Sequence, residues 1–208
     1  MQIKRLLISV SALTGVAGIA YYYISRKTSR ISFGSESRKL KASSAKPSAA
    51  LAKPGNVKEG SYSFISGFRD AATVEVTLSF DADKFSFSVR EDEFLSESGD
   101  SHVGVLYGED FSAQFEYASY YSGEDYPKLL KALAEKHRDL SEVSYGAQNG
   151  AMFRHGDNLC MVFPIPEDSC SYLLVTLVKA AGNDDELEAL PAYPDVNYIL
   201  GSMRFSRS

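Results

Sequence analysis

Thr73-Val74-Glu75-Val76-Thr77-Leu78-Ser79-Phe80 alternates without a break, with Val74, Val76, Leu78 and Phe80 on one side and Thr73, Glu75, Thr77 and Ser79 on the other. Successive side chains of a strand point to opposite faces, so this pattern specifies a half-buried β-strand. After the short turn Asp81-Ala82-Asp83, residues Lys84 to Arg90 repeat the alternation through Phe85, Phe87 and Val89. The spacing predicts a hairpin. Beyond an acidic Ser/Gly-containing loop, His102 to Tyr107 and Phe111 to Tyr120 form a second pair across Gly108-Glu109-Asp110, with Phe111, Ala113, Phe115 and Tyr117 on one face.

The period then changes. Tyr126, Leu129, Leu130, Leu133 and His137 recur at helical spacing, with Lys128, Lys131, Lys136 and Arg138 on the other sides. Asp125 is placed to cap this helix and Pro127 suits its first turn. Such a stripe needs an apolar face to cover, which predicts a helix laid on the sheet. Strands resume at Val143 to Tyr145, Ala151 to His155, Leu159 to Ile165 and Tyr172 to Lys179. Leu173 to Val178 is nearly all apolar and reads as a central strand buried on both faces. A last helix, capped by Asp195, carries Val196, Ile199, Leu200 and Met203.

These elements predict an α+β fold, an antiparallel β-sheet with packed helices. The strand order, the mid-chain helix, the Gly-containing hairpins and the ending Asp195-Val196-Asn197-Tyr198-Ile199-Leu200-Gly201-Ser202-Met203-Arg204-Phe205 resemble the PsbP-like superfamily over residues 73 to 205. The resemblance implies a PsbP-like α/β sandwich and an accessory or binding role. It implies no catalytic set and no site residues.

N-terminal to the domain, Leu6 to Ile24 is nineteen residues without a charge, followed by Arg26, Lys27 and Arg30. As a helix it would span about 28 Å, close to the hydrocarbon thickness of a bilayer. Residues 1–27 therefore read as a membrane anchor, with a cleaved signal peptide as the alternative. Tyr21, Tyr22 and Tyr23 before the cations resemble an interfacial girdle, which favours the uncleaved form. The cations after the run argue for a cytoplasmic domain, whereas Lys4 and Arg5 before it and the stalk-like tether favour an extracytoplasmic one. Residues 28–57 are rich in Ser, Ala and Lys and read as a flexible basic linker. Residues 58–208 are then one globular domain.

Charge is divided between the halves. Residues 1–56 hold ten Lys/Arg against one acid, and residues 57–208 hold twelve Lys/Arg against twenty-six acids. An acidic globule argues against a nucleic-acid partner, because phosphate binding needs a cationic face. Cys160 and Cys170 flank the turn at Pro166; a simple hairpin there would put residue 173 opposite Cys160, so the expectation is unpaired, buried thiols.

No nucleophile elbow, HExxH, P-loop or CxxC is present, which leaves no cofactor or metal motif. His137 continues the helix stripe and reads as a boundary core residue. Arg154, His155 and Asp157 sit at a turn, where they could bind an anion or simply form an exposed hairpin tip. Asp184, Asp185, Glu186 and Glu188 lack the spacing of a calcium loop and read as a solvated acidic run. Tyr120, Tyr121 and Tyr126, with Tyr117, form a candidate recognition patch. The expected function is a membrane-tethered, non-enzymatic accessory or ligand-binding module with a protein or small-ligand partner. The alternatives are an enzyme using scattered acids and a cytoplasmic lipid-surface sensor working through the basic linker.

Overall fold

The computed structural model describes residues 55–66, 72–91, 102–119, 126–181, 183 and 185–208. Ten strands build two antiparallel sheets. The smaller has the order β1-β2-β10, formed by β1 (Val57–Ser66), β2 (Ala72–Asp81) and β10 (Arg204–Arg207). The larger has the order β3-β4-β5-β9-β8-β7-β6. It contains β3 (Phe85–Glu91), β4 (His102–Gly108), β5 (Phe111–Ser119), β6 (Ser141–Tyr145), β7 (Gln148–His155), β8 (Asn158–Ile165) and β9 (Asp168–Lys179). Helix α1 (Tyr126–Lys136), a 3-10 helix (Leu187–Ala192) and α2 (Pro194–Gly201) complete the described elements.

The alternation of Thr73 to Phe80 holds: Val74, Val76, Leu78 and Phe80 are buried. They meet Phe111, Phe115, Met161, Phe163, Leu173 and Val175 of the larger sheet in the main core, which Leu190, Val196, Ile199 and Leu200 help to close. The other face of the larger sheet holds a second cluster. There Leu129 and Leu133 of α1 cover Ala118, Ala151, Phe153, Cys160, Val162, Tyr172 and Leu174. Strand β9 is central in the sheet, and Leu173 through Leu177 are buried on both of its faces.

The expected helix-packed α+β sheet is corrected to a mostly β architecture of two packed sheets. Among the described residues the helices cover too little to define the fold: α1 and α2 have eleven and eight residues, and the main core lies between sheets. The expected β2–β3 hairpin is also replaced. Strand β2 pairs with β1 and β10, whereas β3 pairs with β4. The reason lies in the connecting turn. Ala82 donates its N–H to the Asn56 carbonyl at 2.8 Å, and the buried Asp81 carboxylate accepts the Asp83 N–H at 3.1 Å. This ties the end of β2 to the start of β1 and sends the next residues to the other sheet. Helix α2 takes Tyr193 as its N-cap with Pro194 opening the helix; Asp195 instead pairs with Lys84 at 2.9 Å.

The membrane reading is corrected as well. No helix among the described residues is long and apolar enough to cross a membrane, since α1 at about 1.5 Å per residue reaches only about 16 Å. The single-pass placement, with the domain favoured on the extracytoplasmic side and the cytoplasmic side left open, thus finds no spanning helix among the described residues. The stretch Leu6 to Ile24, the linker up to residue 54 and the expected cap Asp125 lie outside the described residues.

Cys160 is buried and free. Its strand partner is Thr176 rather than residue 173, because the β8–β9 register shifts between Pro164 and Ile165. Position 170 is then six residues along β9 from the point opposite Cys160, about 15–20 Å away. That is beyond the reach of a disulfide. Burial pushes the Cys160 thiol up to about 12, so it behaves as a core residue and not as a nucleophile.

Candidate functional site

Tyr126 opens α1 and lays its ring against the second cluster. Its hydroxyl donates to the Val162 carbonyl of β8 at 2.8 Å, and burial pushes its ionisation up to about 12. It therefore stays protonated and acts as a donor that pins the first turn of the helix to the sheet. Tyr126→Phe should cost about 1 kcal/mol of unfolding free energy, because it removes one partly buried hydrogen bond and keeps the ring packing. A urea melt reads this directly; a midpoint unchanged from wild type would show that the bond contributes nothing net.

Arg154, His155 and Asp157 lie at the β7–β8 turn, past the other end of α1. Strand alternation separates the first two. His155 falls on the face of Ala151 and Phe153 and meets His137, the two rings standing edge to face at 6.2 Å. Arg154 falls on the opposite face, where Nη1 donates to Glu188 Oε1 of the 3-10 helix at 2.8 Å. Its Nε donates to the Gly156 carbonyl at 2.8 Å, and Nη2 stands 4.0 Å from Asp157 Oδ1. The Arg154 N–H donates to Asp139 Oδ2 at 2.6 Å. There the carboxylate stands in for the next residue of β6, whose ladder ends at Ser141 opposite Met152.

His137 follows the last turn of α1, with its N–H on the Leu133 carbonyl at 2.7 Å. Its ring packs against Phe153 at 4.4 Å between centroids, tilted by 39°. Burial lowers its pKa against the opposing pull of Asp139 and a hydrogen bond with the Arg154 main chain. Burial, followed by the neighbouring His137, lowers that of His155. Both shifts favour the neutral imidazole.

The anion-binding reading of Arg154, His155 and Asp157 thus meets a different geometry: the guanidinium is engaged by Glu188 and Gly156, and the imidazole points to the other face. Nor does the structure unite the tyrosine patch with this turn. Tyr126 and His137 sit at opposite ends of a helix about 16 Å long, while Tyr120 and Tyr121 lie outside the described residues. In the acidic run, Asp185 accepts the Tyr193 hydroxyl and Glu188 pairs with Arg154. Among the described residues no group of three His, Cys, Asp or Glu is placed to hold a metal ion.

Sequence reasoning placed His137 on the helix stripe but did not join it to His155. The signal was available in two periods: His137 lies four residues beyond Leu133, and His155 lies two beyond Phe153. No protein-family model, curated protein or solved structure matches the chain.

Proposed function

We propose that the domain is a non-enzymatic interaction module that takes an extended, cationic segment of a protein partner along β3. The observation that carries this reading is the β3–β4 margin. Among the described residues strand β3 ends the larger sheet, with β4 as its one hydrogen-bonded neighbour. Val89 on β3 and Tyr107 on β4, which lie on opposite faces of the sheet, are 45% and 38% exposed, two of the three large apolar side chains left so open among the described residues. Arg90 lies over the Tyr107 ring at 5.5 Å. A sheet edge with apolar side chains beside it is a template for strand addition, in which main-chain hydrogen bonds give affinity and side chains give choice.

Charge selects the partner's sign. Residues 57–208 carry twenty-six acids against twelve Lys/Arg, so complementary potential favours a lysine- or arginine-rich strand.

Titrating the full chain with a synthetic peptide of alternating Lys, Thr and Val tests this. Amide exchange at β3 should slow on binding while that at β6, the other edge, does not. Val89→Lys should weaken the peptide about tenfold, which corresponds to about 1.4 kcal/mol. Equal binding of the matching Glu, Thr and Val peptide, or protection that ignores β3, would refute the reading.

A further inference from the structure

Helix α1 is held to the larger sheet at both ends, by Tyr126 on the Val162 carbonyl and by the His137 ring on Phe153. The second attachment contains an additional titratable group, because the ring of His155 on β7 stands edge-on to that of His137 at 6.2 Å. We propose that this histidine pair is an acid-sensitive latch: neutral imidazoles keep the end of α1 on the sheet, and protonation of both releases it in mild acid.

The physical basis is the placement of two half-buried rings within one contact. Charging either one costs solvation, and charging both sets like charges side by side in a partly dry site. The surrounding charged groups set the balance. Lys136, in the last turn of α1, opposes protonation of His137, whereas Asp139 in the following turn and the Arg154 main chain favour it. On β7 the Arg154 guanidinium is turned to the other face toward Glu188. Asp157, on the β7–β8 turn, lies beside that guanidinium. Opposite His155 on β8 is the neutral Asn158. Burial is the largest influence on both rings and lowers both pKa values in the folded state.

The sign follows from linkage. With folded values below the ordinary value of about 6.5, the unfolded or released state binds more protons in mild acid. The contact is fully present above about pH 6.5. It is lost progressively as pH falls through the lowered folded values.

Amide exchange and methyl NMR on the full chain between pH 7.5 and 5 test the latch. Protection factors of α1 should fall about tenfold relative to those of β9 across that range. The methyl signals of Leu129 and Leu133 should move in step with the ring protons of His137 and His155. A double variant, His137→Gln with His155→Gln, should keep its α1 protection constant across the range. Equal acid loss in wild type and double variant overturns the proposal, as do ring titrations without matching methyl shifts. Should the double variant not fold, the correlation in the wild-type chain decides.

Discussion

Leu133→Ala should lower the unfolding free energy by about 2–5 kcal/mol, the range for removing buried methylenes and leaving a cavity behind. Leu133 is 2% exposed and sits among Leu129, Phe153, Val162, Tyr172 and Leu174 on the outer face of the larger sheet. Few elements can relax to fill the space, since among the described residues one short helix covers that region of a sheet fixed by strand pairing on both sides. Lys131, two positions away on the exposed side of α1, provides the comparison. Lys131→Ala should change stability by no more than about 0.5 kcal/mol. Urea melts of the two variants should therefore separate by about 1 M or more at typical slopes. Coincident midpoints would mean that α1 does not seal the second cluster.

The stripe that predicts this effect was fully legible in the sequence, because a helical period of apolar residues reports a buried face whatever covers it. The same is true of Thr73 to Phe80 and of the nearly all-apolar centre of β9. What alternation cannot report is the partner strand. It fixes which side of β2 is buried, but the choice between β3 and β1 was made by the main-chain bond from Ala82 to Asn56 and the Asp81 carboxylate on the Asp83 N–H, which have no sequence period. The hairpin reading failed for that reason, and with it the assignment of one sheet.

Two strands left weaker traces. In β1 only Tyr62 and Phe64 are buried large side chains, set among Ser, Lys, Glu and Gly, so its composition continues that of the preceding basic stretch. Its Gly60 is required by packing, as a Cβ there would lie 2.5 Å from the Phe87 ring. Strand β10 has four residues, two of them Arg, and it is recognisable only through its pairing with Thr77 to Val74.

The candidate site was legible residue by residue but not as an arrangement. Arg154 and His155 are neighbours in sequence, and a turn reading joined them; strand alternation separates them by the thickness of the sheet. Asp139 and Glu188, which engage the main chain and side chain of Arg154, come from segments 15 and 34 residues away. Contacts of that separation are set by topology, and the topology was the part that alternation left undetermined.

Gly150→Ala should destabilise the chain by about 3 kcal/mol, the upper part of the range for overpacking a close-packed interior. A Cβ at this position would lie 2.4 Å from the Val162 carbonyl oxygen and 2.7 Å from the Phe163 ring. Phe163 is fully buried in the main core, with its ring edge-on to Tyr145 at 6.3 Å. A rotation of Phe163 therefore cannot make room cheaply, and the main-chain oxygen cannot rotate at all without breaking the β7–β8 ladder. The same oxygen accepts the Tyr126 hydroxyl, so displacing it also loosens the first turn of α1 on the other side of the sheet. Gly201→Ala is the matched control: it lies at the end of α2, and its added Cβ would find its nearest atom at 3.7 Å, an ordinary contact. In urea melts Gly150→Ala should unfold at markedly lower denaturant than Gly201→Ala, and α1 amides should lose protection together with those of β7. A Gly150→Ala midpoint equal to that of Gly201→Ala would show that β7 can move away from β8, and the link from Gly150 through Val162 to Tyr126 would be lost with it.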